Sequence, residues 1–172
     1  IEIIRGDVRL DKFRELAKYY DHEDDEIVEA GKHKYKTANI ENLRCFPGTR
    51  DVLDELNGKF KLVLLTQGNP EQQQKKIDML DIREYFDFAF TPEDEGKREA
   101  LKDALEVLEL NPNEILVVGD RIDVEIAFGN DMGMKTVRLL KGKYRNMVPE
   151  NDGERADFEI RDLNEVLDIV NE

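Results

Sequence analysis

Tryptophan is absent, cysteine occurs once, at Cys45, and proline only five times in 172 residues. One cysteine excludes an intramolecular disulfide framework and any multi-cysteine zinc site. It agrees with a reducing compartment, and a cytoplasmic location is expected. No apolar run approaches the roughly 18 residues of a transmembrane helix, and no signal-peptide pattern is present. Positive charge is also scarce: 26 basic residues face 40 acidic ones, a net charge of −14. Proteins that grip nucleic-acid backbones show a basic face, so nucleic acid is not an expected partner. Anionic membrane surfaces are disfavoured for the same reason. Charge itself is abundant at 38% of residues, against the usual ~25%. Surface ion-pair networks of the thermophile kind are one account of that excess.

The length suits one domain, or one domain with a small appendage. The first part reads as helical. Asp11 is placed to cap a helix carrying Phe13, Leu16, Ala17 and Tyr20 at steps of three and four. A second helix is expected over 23–35, with the acidic run 21–26 at its start, where carboxylates favour the positive end of the dipole. At Pro47-Gly48-Thr49 the pattern changes to alternating strands and helices. Strands are expected over 60–65, 86–90, 115–118, 135–140 and 158–160. Helices are expected over 50–56, 70–80, 98–110, 124–132 and 163–170. Asn69-Pro70 is a helix start, with Asn as N-cap and Pro at the first helical position. Gly133 is a natural left-handed helix end. Such alternation implies right-handed crossovers and an α/β fold with a doubly wound parallel sheet. A boundary near residue 46 separates a helical segment, 1–46, from the α/β unit, 47–172.

Open parallel sheets bind ligands beyond the carboxyl ends of their strands. The first expected strand ends in Thr66-Gln67-Gly68-Asn69 and the third in Gly119-Asp120-Arg121. Lys97 stands between them at a helix start. Each has an ordinary structural role open to it: Thr66 can cap a turn, Gly68 can supply a positive dihedral, and Lys97 can be one surface lysine among many. Taken together they read as a phosphate site. The Thr66 hydroxyl and the N–H groups of Gln67 and Gly68 can donate to phosphoryl oxygens near a helix N-terminus. Lys97 can neutralise charge on the same group. Asp120 is a hard oxygen ligand suited to Mg²⁺. Glu125 can support the metal, or with Asp123 only serve the next helix start. The run Glu71-Gln72-Gln73-Gln74 faces either the site or solvent; the sequence leaves both open.

These motifs, in this order, resemble the haloacid dehalogenase (HAD) superfamily of hydrolases. The resemblance rests on the apolar strand ending in Thr66, then Lys97, then Val117-Val118-Gly119-Asp120, then Gly133-Met134-Lys135-Thr136-Val137. Pro47-Gly48 ahead of the first helix and Ala156-Asp157-Phe158-Glu159-Ile160 with Asp162-Leu163 are similar too. It covers 47–172, while 1–46 is similar to part of the family's helical cap. It implies a Rossmann-like core and a phosphatase working through an aspartyl-phosphate intermediate on a small phosphorylated metabolite. Thr66 would bind the phosphoryl group together with Gln67, Gly68 and Asn69. Lys97 would stabilise nucleophile and intermediate, and Asp120 with Glu125 would hold Mg²⁺.

One departure matters. The family's Asp-x-Asp nucleophile pair, which follows an apolar N-terminal strand, is not in this sequence: Asp7 is followed two residues later by Arg9, and Glu93 and Glu95 come after Thr66. The chain opens with Ile1, so the nucleophile is expected upstream of it, and the chain alone is expected to be inactive. Lys97 is followed by Arg98 where the family usually has proline, which makes Arg98 a backup candidate. A sheet without its first strand would offer an open edge, so the protein is expected as a monomer or a homodimer. Three other readings stand beside the phosphatase: a non-catalytic pseudo-hydrolase that binds without turnover, a metal-independent dehalogenase, and a phosphoacceptor receiver. The receiver order places its acceptor Asp before Thr and its Lys last, which is not the order here.

Overall fold

In the first helix the apolar residues fall at steps of three and four, so they line one side. The computed structural model describes residues 12–22, 24–36, 42–92 and 96–171, and divides the chain into units 1–42 and 43–172. In the first unit, α1 (Lys12–Tyr19) packs against α2 (Asp25–Lys36). Ala17 and Val28 are buried, and Gly31 lets the Phe13 ring approach to 2.9 Å of where a Cβ would stand. The acidic start of α2 serves the helix. The Asp24 carboxylate accepts from the Glu26 N–H at 2.9 Å, and Asp25 pairs with Arg14 at 2.6 Å. The expected cap Asp11, together with Glu23, lies outside the described residues.

The second unit alternates helix and strand as the pattern requires. Its elements are α3 (Thr49–Leu56), β1 (Val63–Leu65), α4 (Pro70–Leu80), β2 (Phe88–Phe90), α5 (Lys97–Leu108) and β3 (Leu116–Gly119). Then come α6 (Ala127–Met132), β4 (Lys135–Leu139), β5 (Phe158–Ile160) and α7 (Val166–Val170). All strand pairs are parallel. β1 pairs with β2, and β3 with β4 with β5; among the described residues these are two separate sheets. Within each sheet the parallel neighbours are therefore joined by crossovers, as an α/β fold demands.

Each sheet has its own apolar layer. Leu53, Ile77 and Ile82 are buried beside β1, with Leu62, Leu64 and Cys45 packed against them. Val137, Ile160 and Val166 are buried between β4, β5 and α7. Fully burying one such aliphatic side chain stabilises the fold by about 1.5–3 kcal/mol.

Three expected elements differ from the pattern. The apolar run 60–65 gives only a three-residue strand, because β2 is equally short and Phe60 turns back to bridge Asn57. The helix expected over 124–132 begins instead as a π-helical turn, Ile122–Ile126, before α6. Its wider winding buries Ile122 and Ile126 completely, four residues apart, while Glu125 returns toward β3. The helix expected over 163–170 opens as a 3₁₀ turn, Leu163–Glu165, held by a reciprocal capping box between Asp162 and Glu165.

A polar knot closes the far side. Thr136 is fully buried in β4. Its N–H donates to Asp157 Oδ2 at 2.8 Å, its hydroxyl accepts from the Asp157 N–H at 3.1 Å, and Asn130 Oδ1 lies 2.8 Å from that hydroxyl. Asn130 in turn donates to the carbonyls of Gly153 and Arg155, both at 2.7 Å. Among the described residues no helix is long and apolar enough to cross a membrane.

Candidate active site

Two groups of polar residues stand at carboxyl ends of strands. The first lies past β1. The Thr66 N–H donates to the Phe90 carbonyl at 3.0 Å, which carries the ladder one step beyond β1 and fixes Thr66 at the strand end. The chain then turns at Gly68, whose φ of +142° disfavours any side chain. Asn69 caps α4, its Oδ1 accepting from the Gln72 N–H at 3.1 Å. Gln73 reaches back from the first turns of α4. Its Oε1 accepts from the Thr66 hydroxyl at 3.2 Å, and its Nε2 donates to the Gln67 carbonyl at 3.0 Å.

Two of the expected donors are changed by this geometry. The Gly68 N–H already donates to the Pro92 carbonyl at 2.9 Å, so it is not the phosphoryl donor the sequence pointed to. The Asn69 side-chain oxygen is held by the helix start, which leaves that residue a structural task. The Gln67 carbonyl accepts from Gln73, a bond that does not involve the Gln67 N–H expected as a donor.

The second group lies past β3. Gly119 ends the strand, and Asp120 follows. The π-helical turn brings Glu125 against Gly119 so closely that a Cβ there would stand 2.6 Å from the Glu125 Cβ; only glycine fits. Lys97, the first residue of α5, forms an ion pair and hydrogen bond with Glu125 Oε1. Both side chains are largely buried, at 12% and 14% exposure. Glu125 Oε2 is buried without a hydrogen-bond partner. Burial, and then the Glu125 charge, push the Asp120 carboxyl above the usual range. Lys97, Asp120 and Glu125 are thus one electrostatic unit, as their separate positions in the sequence did not show.

The remaining candidates fall elsewhere. Asp123 is held by Arg121 through two bonds, at 3.0 and 2.6 Å, and the Arg121 hydrogen bond holds its carboxyl below the ordinary range. Arg98 pairs with Asp131 and lies over the Phe128 ring, which sets it apart from the Lys97 group.

Sequence reasoning missed Arg138. It is 4% exposed in the middle of β4. It pairs with Glu159 at 3.1 Å and donates to the carbonyls of Tyr144, Arg145 and Met147 at 3.3, 3.5 and 2.7 Å. That grip shapes the loop 141–147, which passes beside Asp120: a Cβ on Gly142 would stand 3.9 Å from Asp120 Oδ2. Tyr144 of the same loop lies under the Arg121 guanidinium, 5.1 Å from its ring centre. The signal was available: an arginine inside the apolar strand Thr136-Val137-Arg138-Leu139 must bury its charge and needs acceptors.

The orphaned Glu125 oxygen beside Asp120 fits a hard divalent cation, which takes one or two protein carboxylates and keeps several waters. Among the described residues no group of three or more His, Cys, Asp or Glu side chains converges as a metal cage.

Parallel strands flanked by helices, with polar groups gathered at strand carboxyl ends, define a Rossmann-like α/β protein. A model of haloacid dehalogenase-like hydrolases matches residues 2–133, and the chain belongs to that family. It is 36% identical over 160 residues to the glyceraldehyde 3-phosphate phosphatase of Methanocaldococcus jannaschii, covering 90% of this chain and 67% of that protein. It is 34% identical over 151 residues to the glyceraldehyde 3-phosphate phosphatase of Methanopyrus kandleri, covering 85% and 65%. The chain spans about two thirds of the length of these curated relatives. Among solved structures, the HAD-hydrolase YfnB of Bacillus subtilis, determined bound to magnesium, superposes with a TM-score of 0.74. That match covers 94% of this chain and 70% of the other at 24% identity, and shows the shared fold.

Proposed function

We propose that the protein is a Mg²⁺-dependent phosphatase of a small phosphorylated metabolite. The observation that carries this reading is the buried, unpartnered Glu125 oxygen next to Asp120 and Lys97. Lys97 pairs with Glu125 alone, which leaves Asp120 and the second Glu125 oxygen as acceptors that a divalent cation can take up.

In this reading Asp120 and Glu125 hold Mg²⁺, which when bound draws charge from the phosphoryl oxygens. Lys97 keeps Glu125 oriented and supplies positive charge to the phosphoryl group. The Thr66 hydroxyl donates to a phosphoryl oxygen from the other strand end. The aspartyl-phosphate route forms a carboxylate oxygen–phosphorus bond as the ester oxygen leaves with a proton. Water then releases inorganic phosphate and restores the carboxylate. Its attacking carboxylate is none of Thr66, Lys97, Asp120 or Glu125, and no Asp-x-Asp stands in this sequence. Turnover is accordingly a property to test in the whole protein.

The names of the relatives make glyceraldehyde 3-phosphate the first substrate to try. Phosphate release from it by the whole protein is expected to vanish with chelator and with Asp120→Ala. Full activity in EDTA overturns the metal assignment. Binding of inorganic phosphate with no release from any phosphate ester would instead establish the non-catalytic reading.

A further inference from the structure

The residue that prepares the phosphate corner is Gln73, and we infer that it is a positioning residue for anion binding at Thr66. The inference rests on the phosphatase reading of that corner. Of the polar run that opens α4, Glu71 pairs with Lys75 and Gln74 donates to Asp78 along the exposed helix surface. Gln73 turns inward and is half-buried.

Its two bonds fix its amide in one orientation. The Gln67 carbonyl only accepts, so the NH₂ end of Gln73 must face it, at 3.0 Å. The amide oxygen therefore faces Thr66 and takes the hydroxyl's single proton, at 3.2 Å. The same side chain fills the space behind Gly68. A Cβ on Gly68 would stand 2.5 Å from Gln73 Nε2, so the glycine is what lets the amide brace the turn. One side chain thus sets the course of 66–68 and the rotor of Thr66 together.

This arrangement favours an arriving anion. The Thr66 oxygen is already in place, and only its proton must swing from the neutral amide to the phosphoryl oxygen. A hydrogen bond to a charged acceptor is roughly twice as strong as one to a neutral acceptor, so the anion wins the proton. A site held ready in the free protein binds more tightly than one that must be ordered on binding.

The test is calorimetric titration of the full chain with inorganic phosphate, and with sulfate, whose charge is constant near neutral pH. Gln73→Leu is expected to weaken both anions about five- to tenfold, because the turn 66–68 loses its brace at the Gln67 carbonyl and must be ordered on binding. Gln73→Glu supplies a readout that a merely space-filling role would not move. Protonated, the new carboxyl can donate to the Gln67 carbonyl and accept from Thr66; ionised, it can only accept, and it repels the anion. The ratio of its sulfate Kd to the wild-type value is expected to rise about tenfold between about pH 5 and pH 8, the range in which a half-buried glutamate ionises. A flat ratio overturns the inference. So does Gln73→Leu binding as tightly as wild type, or more tightly. If that variant does not fold, the pH ratio decides alone. A wild-type chain that takes up neither anion breaks the phosphate reading itself; a binding wild type with indifferent Gln73 variants breaks only the role of Gln73.

Discussion

The two strand ends handle polar groups in opposite ways. Past β3 the group is ionic: Lys97, Asp120 and Glu125 share three charges in a largely buried corner, and one oxygen is left over. Past β1 the group is neutral: Gln73 joins the Thr66 hydroxyl to the Gln67 carbonyl through two hydrogen bonds. The ionic end is tense without a cation. The neutral end has its hydrogen bonds met within the chain, and in the proposed reading the Thr66 hydroxyl turns from Gln73 to an arriving anion. Charge, pH and metal should therefore move the first end, and shape and hydroxyl chemistry the second.

The largest expected effect breaks the ionic end. Lys97→Met leaves two carboxylates together in a buried corner, and is expected to lower stability by about 3 kcal/mol, the scale for breaking a buried pair. Urea unfolding measures it, and Mg²⁺ is expected to restore more stability to this variant than to wild type. An unchanged midpoint would remove the electrostatic account of this corner.

Thr66→Val is next and touches the neutral end. The shape is kept and the hydroxyl lost, so stability should move by less than about 1 kcal/mol while inorganic phosphate binds roughly tenfold more weakly. Calorimetry and thermal unfolding on the same sample separate the two.

The third prediction uses pH. The Asp120 carboxyl is raised by burial and by Glu125. An acid raised in the folded state contributes stability fully below its unfolded value, and loses it as pH rises through the folded value. Asp120→Asn should therefore make the metal-free protein slightly more stable at neutral pH, by less than about 1 kcal/mol, and the gain should vanish in acid. The same shift predicts that Mg²⁺ stabilisation of wild type fades on acidification at a higher pH than an ordinary aspartate would give. Thermal midpoints from about pH 4 to pH 8 decide both.

The smallest effect sharpens the assignment of the cation. Arg98→Ala removes an exposed pair with Asp131 and should change stability by less than about 1 kcal/mol, with phosphate and Mg²⁺ responses intact. A clear loss of either response would return Arg98 to the site.

Much of this was legible in the chain. Apolar runs, Asn69-Pro70 and Gly133 located the strands and helix ends, because local periodicity and cap chemistry decide them. Thr66 and Asp120 stood out because each directly follows an apolar strand, which is where parallel sheets place ligands. Gln73 did not stand out from Gln72 and Gln74, since only the packing of α4 decides which glutamine turns inward. The π-helical turn left no composition signal, and with it went the closeness of Glu125 to Gly119. The Gly68 N–H looked available because its acceptor, Pro92, lies in a different connection and meets it only through the β1–β2 pairing.

Arg138 holds the loop beside Asp120 by its main-chain oxygens and not by its side chains. Such a clasp separates contour from content. Lengthening the segment between Tyr144 and Met147 is expected to slide its carbonyls off the guanidinium. Exchanging Lys143, Tyr144 or Arg145 leaves the clasp untouched. The outline of this loop is thus set by its backbone, and its side chains are left open to exchange without refolding.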